Sequence, residues 1–386
     1  MRKWNLPLQT SFRKRSEAAA VLVIQECRTG TGLSENRLAR SSIMINNWQK
    51  KICRIYYREV VFMTDFLLVE QLHRMMGELP RPRLMYRKGI GMRGYFKIYR
   101  SFEEYTSADI FCEMDRSFPV RARFSALLGD GGTADTRRNI KGFAVRLYSG
   151  AGEYDVVCSS LPVFFINRSR DFLELAESMR CRAWFDGIAF EKFWRFVVKH
   201  PEALHCALRL FSSEGLTASY RRICWYSVHT CVWNNEKGEQ FLVRYRWIPV
   251  GNHRNGLKEG DDRIGEERII ADFMAGYNPD AAQDDLETAV AEGAFPAFEL
   301  WVQIMDASYS SHPEYQRRTV SWNEAIFPPV RAGILKLTEM EPLEQSEKLC
   351  FSPGHLGPGI SLWGDEFSDF ADYAHKAGGA ERGVRT

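Results

Sequence analysis

The order of strand-like and helical segments is the feature that most constrains the fold of this chain. Short runs typical of strands come first, among them RGYFKIYR at 93–100 and GFAVRLYS at 142–149. Helical patterns follow at 171–180 and 190–211, and strand-like runs return between 239 and 340. Because strands and helices are grouped, instead of alternating as βαβ units, the sequence predicts an α+β fold.

Composition and charge narrow the class of protein. Hydrophobic residues make up 45% of the 386 residues, which suits a globular chain that can bury a sizeable core. The formal net charge of +3 is too small to indicate a nucleic-acid-binding surface. No stretch approaches the roughly 20 apolar residues that a membrane-spanning helix needs. We therefore expect neither nucleic acid nor a membrane as a partner.

Three segments of the chain differ in character. Residues 1–75 are irregular and basic, and we expect an atypical arm that is partly helical or disordered. Residues 76–377 contain most of the strand and helix patterns and form the predicted core. The last residues, 378–386, are expected to be a disordered tail.

Cysteine usage indicates the compartment. The chain has nine cysteines without a CxxC pair, and the odd number favours reduced thiols over a disulfide framework. We therefore predict a cytoplasmic protein. Basic residues precede the first acidic residue, Glu17, so a mitochondrial presequence is the alternative. The final VRT does not match a peroxisomal SKL ending.

A glycine-rich stretch, GDGGTADT, lies between two strand-like runs and raises the question of a phosphate-binding loop. It lacks the Lys and Ser/Thr that follow the last glycine of a P-loop, and a strand rather than a helix comes after it. The chain also lacks HExxH, GxSxG and a Cys/His cluster at zinc-ligand spacing. Its simplest interpretation is a structural turn between two strands.

That stretch belongs to a longer block, RFSALLGDGGTADTRRNIKGFAVRLY at 123–148, which resembles the catalase family. Further blocks that resemble catalases follow in the family's order: EYDVVCSSLPVFFINRSRDF, the segment that ends in SVHT at 230, and LCFSPGHLGPGI at 349–360. The resemblance covers about 80–377. It implies an antiparallel eight-stranded β-barrel with helices packed around it, and a haem near the glycine turn.

On the distal side of the haem, the resemblance places Tyr86 where the family has its catalytic histidine. Ser159 stands where the family has the asparagine that orients the peroxide. A phenol with a pKa near 10 is a poor proton acceptor at neutral pH, whereas a free imidazole with a pKa near 6.5 is a good one. Tyr86 is then a buried tyrosine or, less simply, a tyrosinate ligand of the iron.

On the proximal side, two alignments stay open. Without a gap, His375 takes the place of the family's iron-ligating tyrosine, and Ala371 takes the place of its arginine. A shift of two residues instead gives Tyr373, with Asp369 in place of the arginine. A nearby anion would raise the pKa of a phenol and disfavour tyrosinate, whereas His375 would ligate iron as neutral imidazole.

Part of the family's haem frame is retained. The resemblance makes Arg83 and Arg123 propionate-binding residues and Phe172 the ring that stacks over a pyrrole. These matches imply haem b as cofactor. Phe164 and Phe165 match the phenylalanines that line the family's channel to the haem. Arg382 is a candidate for the family's third propionate-binding arginine.

The NADPH site that some catalases carry is altered here. Glu214 stands where an arginine would meet phosphate, and Trp247 where a lysine would lie. Because an acidic residue repels phosphate, we expect no bound NADPH.

Two functional hypotheses result. The first is a diverged catalase-like haem protein that acts on hydrogen peroxide or an organic hydroperoxide with weak or altered turnover. The second is a haem-free catalase-fold pseudoenzyme with a binding or assembly role. Catalases are usually tetramers with interlocked N-terminal arms, so the atypical arm leaves a homo-oligomer as an open expectation.

Overall fold

The structure is a computed structural model that describes residues 67–68, 70–71, 85–127, 132–179, 190–250 and 263–381. The chain divides into two compact units, residues 1–61 and 62–386, and everything described below belongs to the second. Most of the expected arm therefore lies outside the described residues, as do Arg83 and Arg382.

Ten strands form one antiparallel sheet in the described part of the chain. Their bounds are β1 (Gly89–Ile98), β2 (Phe118–Ala126), β3 (Lys141–Tyr148), β4 (Glu153–Ser159), β5 (Trp225–Ser227), β6 (Cys231–Asn234), β7 (Gln240–Pro249), β8 (Ala297–Asp306), β9 (Val330–Met340) and β10 (Ile360–Leu362).

Eight of these strands close into a barrel. Strands β1 to β5 pair in sequence, β5 pairs with β7, and β7, β8 and β9 lead back to β1. Strands β6 and β10 extend the sheet from β7. The expected closed eight-stranded antiparallel barrel is confirmed, and the glycine-rich stretch joins its neighbouring strands β2 and β3.

The interior of the barrel is filled by large aromatic side chains on alternate strand positions. Phe124 on β2 and Phe143 on β3 are cross-strand partners whose rings stack at 4.5 Å. Trp225 and Phe298 lie against the same pair. Because side chains fill the barrel, the space for a ligand lies outside it.

Nine α-helices are described: α1 (Asp109–Cys112), α2 (Phe172–Met179), α3 (Phe190–Lys199), α4 (Leu204–Phe211), α5 (Arg263–Tyr277), α6 (Ala281–Ala291), α7 (Pro313–Gln316), α8 (Leu343–Lys348) and α9 (Glu366–Glu381). The helical stretch predicted at 190–211 is two helices, because Pro201 cannot continue α3 and starts a new turn instead. No described helix has the length and apolar character of a membrane span.

A second apolar cluster lies between the helices and the barrel. It combines side chains of α2, α3 and α4 with Phe164 and Phe165 after β4 and with Phe367 and Phe370 of α9. Tyr86, just before β1, packs against the same cluster. This cluster includes several of the residues that the sequence assigns to the haem, namely Tyr86, Phe164, Phe165, Phe172 and Tyr373.

Candidate functional site

Two adjoining cavities lie where the loop before β1, strands β2 to β4 and helix α9 meet. Cavity A encloses about 710 Å³ of empty space and cavity B about 640 Å³, both figures including the part that is open to solvent. Together we call them the slot. They share a wall made by Met85, Tyr86, Val157, Cys158, Ala374 and His375.

Tyr86 lines both cavities and stands in an unusual backbone conformation. Its φ is 56°, in the left-handed region that residues other than glycine seldom adopt. Its backbone N–H donates to the carbonyl oxygen of Leu127 at 3.0 Å. Burial raises the pKa of Tyr86 to about 12. The phenol is therefore neutral over the physiological pH range.

Arg123, the expected propionate arginine, lines cavity A but bonds to the chain itself. One terminal nitrogen, Nη1, donates to the carbonyl oxygen of Tyr86 at 2.8 Å. The other, Nη2, donates to the carbonyl oxygen of Arg87 and to the carboxylate of Glu347, both at 3.0 Å. Arg123 is only 2% exposed. In this structure its guanidinium holds the loop that carries Tyr86.

Helix α9 distinguishes the two proximal candidates. His375 and Ala374 line both cavities, and Ala371, one turn before His375, lines cavity B. Two residues along a helix correspond to a rotation of about 200°, so Tyr373 points away from that face. Tyr373 lines neither cavity and packs against the second apolar cluster. The structure brings His375 to the slot, as in the ungapped alignment, and its role there stays a prediction.

Cavity B contains the other predicted residues. Ser159, at the end of β4, lines it, and its hydroxyl oxygen accepts from the backbone N–H of Leu161 at 3.1 Å. Phe172 and Phe164 also line cavity B, whereas Phe165 is fully buried behind it. Ser159 and the two phenylalanines are thus brought next to Tyr86 and His375.

His229 is a cavity residue that the sequence analysis did not single out. It lines cavity B, and its Nδ1 lies 3.3 Å from the hydroxyl of Ser368 on α9. Burial, with smaller contributions from the charges of Arg318 and His375, holds the pKa of His229 well below its ordinary value. The sequence contains a motif that could have identified it, because His229 belongs to the SVHT segment that resembles the family's Gly-Ser-His-Thr.

Two thiols also line cavity A. Burial raises the pKa of Cys158 well above its ordinary value, so this thiol is a weak nucleophile. The thiol of Cys350 donates to the carbonyl oxygen of His375 at 3.4 Å. Cys158 therefore supplies no reactive thiolate to the slot.

The positions assigned to NADPH are occupied by other interactions. Glu214 forms an ion pair with Arg209 at 2.7 Å near the surface. Trp247 is fully buried in the barrel, where its ring meets Phe96 and Phe143. The expectation that NADPH does not bind stays a prediction.

The spacing of Tyr86 and His375 tests whether a haem fits between them. Their ring centroids are 6.3 Å apart and the rings are inclined by only 27°. A flat macrocycle needs about 3.5 Å on each face, or about 7 Å between two nearly parallel rings. With Arg123 also occupied by backbone carbonyls and Glu347, the residues as placed do not fit a haem in the slot.

Comparison with known proteins agrees with the fold. A family profile described as "Catalase" matches residues 41–369. The chain is 31% identical over 331 residues to a catalase of Methanosarcina barkeri, an alignment that covers 83% of this chain and 64% of that protein. It is 31% identical over 315 residues to a catalase of Latilactobacillus sakei, with coverages of 80% and 63%.

Solved structures of catalases also match the fold of this chain. Catalase A from Saccharomyces cerevisiae matches with a TM-score of 0.70 and 27% identity, over 82% of this chain and 64% of that one. A bacterial catalase matches with a TM-score of 0.70 and 27% identity, over 83% and 60%. The chain thus spans less than two thirds of the length of these relatives.

Proposed function

The chain belongs to the catalase family, and on that premise we propose that it acts in hydrogen peroxide or organic hydroperoxide metabolism with a turnover far below that of an intact catalase. The observation that carries this proposal is Tyr86. A neutral phenol, with its pKa raised to about 12, stands where the resemblance to catalases places the family's proton acceptor.

The chemical argument concerns proton transfer. Peroxide cleavage needs a group that accepts the peroxide proton and returns it to the leaving oxygen. A general base of this kind typically contributes about 10²–10⁴ in rate. Ser159 keeps a hydroxyl that can donate a hydrogen bond, but it has a shorter reach than an amide. We therefore expect residual turnover and no efficient disproportionation.

Oxygen release from hydrogen peroxide tests the proposal. We expect slow release from the purified wild-type protein and at least a tenfold increase in Tyr86→His, because imidazole restores a proton acceptor and is smaller than phenol. Tyr309→His, the same change at a tyrosine that is 41% exposed, is the control and should leave the rate unchanged. Rapid oxygen release by the wild type, or no gain in Tyr86→His, would contradict the proposal.

A second candidate is a haem-free catalase-fold protein with a binding or assembly role. The 6.3 Å separation of the Tyr86 and His375 rings favours it. An absorption spectrum of protein expressed with added haem separates the two candidates. A stoichiometric Soret band would eliminate the second, and its absence would eliminate the first as a haem-dependent activity.

We also propose a cytoplasmic location. The cysteines within the described ranges are all free thiols, which supports a reducing compartment. Cell fractionation with an antibody to the chain tests this, and recovery with mitochondria would overturn it.

A further inference from the structure

We propose that Tyr86 is a built-in plug: its ring, seated on Gly142 and fixed by Arg123, keeps the slot divided into two cavities and excludes haem from the space between them. This inference concerns cofactor binding alone. It bears on the proposed function in one respect: with Tyr86 in this position the wild type has no stoichiometric haem, so slow oxygen release would come only from the fraction of chains in which the ring has moved.

The first support is the seat of the ring. Gly142 lies on β3 at the wall of cavity A. A Cβ atom built there would lie 2.5 Å from Cε1 and 2.8 Å from Cδ1 of Tyr86. The ring therefore rests directly on the backbone of β3, at a distance that a side chain at position 142 would prevent. Glycine at this position lets the phenol lie across the slot instead of along its edge.

The second support is the anchoring of the backbone at residue 86. Arg123 binds the carbonyl oxygens of Tyr86 and Arg87, and Glu347 binds the same guanidinium. Charge-assisted hydrogen bonds of a buried arginine are costly to break, because an uncompensated charge would be left behind. Turning the loop away from the slot would break these bonds.

The loop is also held two residues after Tyr86. The Lys88 ammonium pairs with Asp135 at 3.0 Å and donates to the carbonyl oxygens of Thr133 and Pro279 at 2.8 and 2.7 Å. Lys88 is 8% exposed, so these contacts are largely buried. The backbone N–H of Tyr86 itself donates to the carbonyl oxygen of Leu127 at 3.0 Å. These contacts at residues 86–88 hold Tyr86 in its positive-φ conformation.

The third support is the opposite wall. His375 on α9 faces the Tyr86 ring at 6.3 Å, and both side chains belong to the wall shared by the two cavities. Since about 7 Å is needed for a porphyrin between two such rings, haem enters only if one of them moves. Removing the ring of Tyr86 would open the shared wall at this point, between the backbone of β3 and His375.

Haemin titration of the full-length chain in the absence of peroxide tests the plug. We expect no saturable one-to-one uptake by wild type or by Tyr86→Phe, which keeps the ring and loses only the hydroxyl. In Tyr86→Ala we expect one haem per chain, with an affinity at least tenfold above that of wild type. Tyr309→Ala, at an exposed tyrosine, is the matched control and should behave as wild type.

Two results would overturn the inference: stoichiometric haem uptake by wild type or Tyr86→Phe, or no gain in Tyr86→Ala. If Tyr86→Ala does not fold, as judged by its thermal transition, Tyr86→Leu replaces it, because leucine fills part of the apolar site without a planar ring. Turnover plays no part in these readouts, so a failure of the proposed function is seen separately, in the oxygen assay.

Discussion

At the scale of single residues, size and acidity act together at position 86. A phenol whose pKa is raised to about 12 neither accepts the peroxide proton nor becomes an anionic ligand at neutral pH. The same ring occupies space that a smaller imidazole would leave open. If Tyr86 replaces the family's histidine, as the resemblance implies, one change of residue type removes a proton acceptor and narrows the slot. The two effects separate in Tyr86→Leu, which relieves only the crowding, and Tyr86→His, which also supplies a proton acceptor.

The contact between Tyr86 and Gly142 leads to a stability prediction. We expect Gly142→Ala to lower the free energy of unfolding by about 1–3 kcal/mol, because the new methyl group meets a ring whose backbone cannot move aside. Denaturant unfolding measures the change. The penalty should shrink in a Tyr86→Leu background, and the control Gly364→Ala, where nothing lies within 4 Å of the added atom, should cost little. An equal penalty in both backgrounds would contradict the contact.

At the scale of elements, the barrel closes where the backbones of two strands, β1 and β9, approach each other closely. Strand β1 changes register against β9 between Arg93 and Gly94, which is where the strand bends to follow the barrel. A Cβ atom at Gly94 would collide with the carbonyl oxygen of Lys336 on β9. Glycine at this position therefore permits the two strands to approach and the barrel to close.

We predict that Gly94→Ala lowers the free energy of unfolding by about 2 kcal/mol or more, because backbone atoms of β9 must move and ladder hydrogen bonds must lengthen. The control is Gly276→Ala in α5, where no atom lies within 4 Å and alanine is the better helix former. That control should be neutral or raise stability by up to about 1 kcal/mol. Similar losses in both variants would argue against the proposed collision.

Most long elements could be predicted from sequence patterns. The strand-like run at 142–149 corresponds to β3, Lys141–Tyr148, because its alternation reflects one buried and one half-buried face. The shortest strands, β5 and β10, have three residues each, which is too few for a period to be recognised. Their positions depend on pairing with distant strands, so local pattern does not reveal them.

At the scale of the whole molecule, the slot depends on contacts between segments far apart in the sequence. The resemblance to catalases gives the positions of Tyr86 and Ser159, but it leaves two alignments open at α9. The structure distinguishes them, because the helix face that lines the slot carries His375 and not Tyr373. The pairing of Arg123 with Glu347 spans 224 positions and follows from no motif. Sequence therefore indicates some of the residues that form the slot, whereas the choice at α9, the presence of His229, and the spacing and partners of these side chains require the tertiary structure.

Stability toward acid is a property of the whole molecule to which His229 contributes. Its pKa in the folded state lies well below 6.5, mainly through burial. The charged and titratable groups that act on it are Arg318, His375, Asp372 and Arg244. In the unfolded chain this histidine has an ordinary pKa of about 6.5. Above that pH it is neutral in both states and adds no pH dependence.

Below about pH 6.5 His229 binds a proton in the unfolded chain but stays neutral in the folded chain. The free energy of unfolding therefore falls as the pH is lowered toward the folded-state pKa. We predict a fall between pH 6.5 and 5 that is smaller in His229→Gln, since glutamine cannot titrate and can still bond to Ser368. Denaturant unfolding at several pH values measures both slopes. His312→Gln, at a solvent-exposed histidine, should keep the wild-type slope. If His229→Gln keeps it as well, residue 229 is protonated in the folded protein, and the cavity beside Tyr86 is open enough to water to solvate an imidazolium.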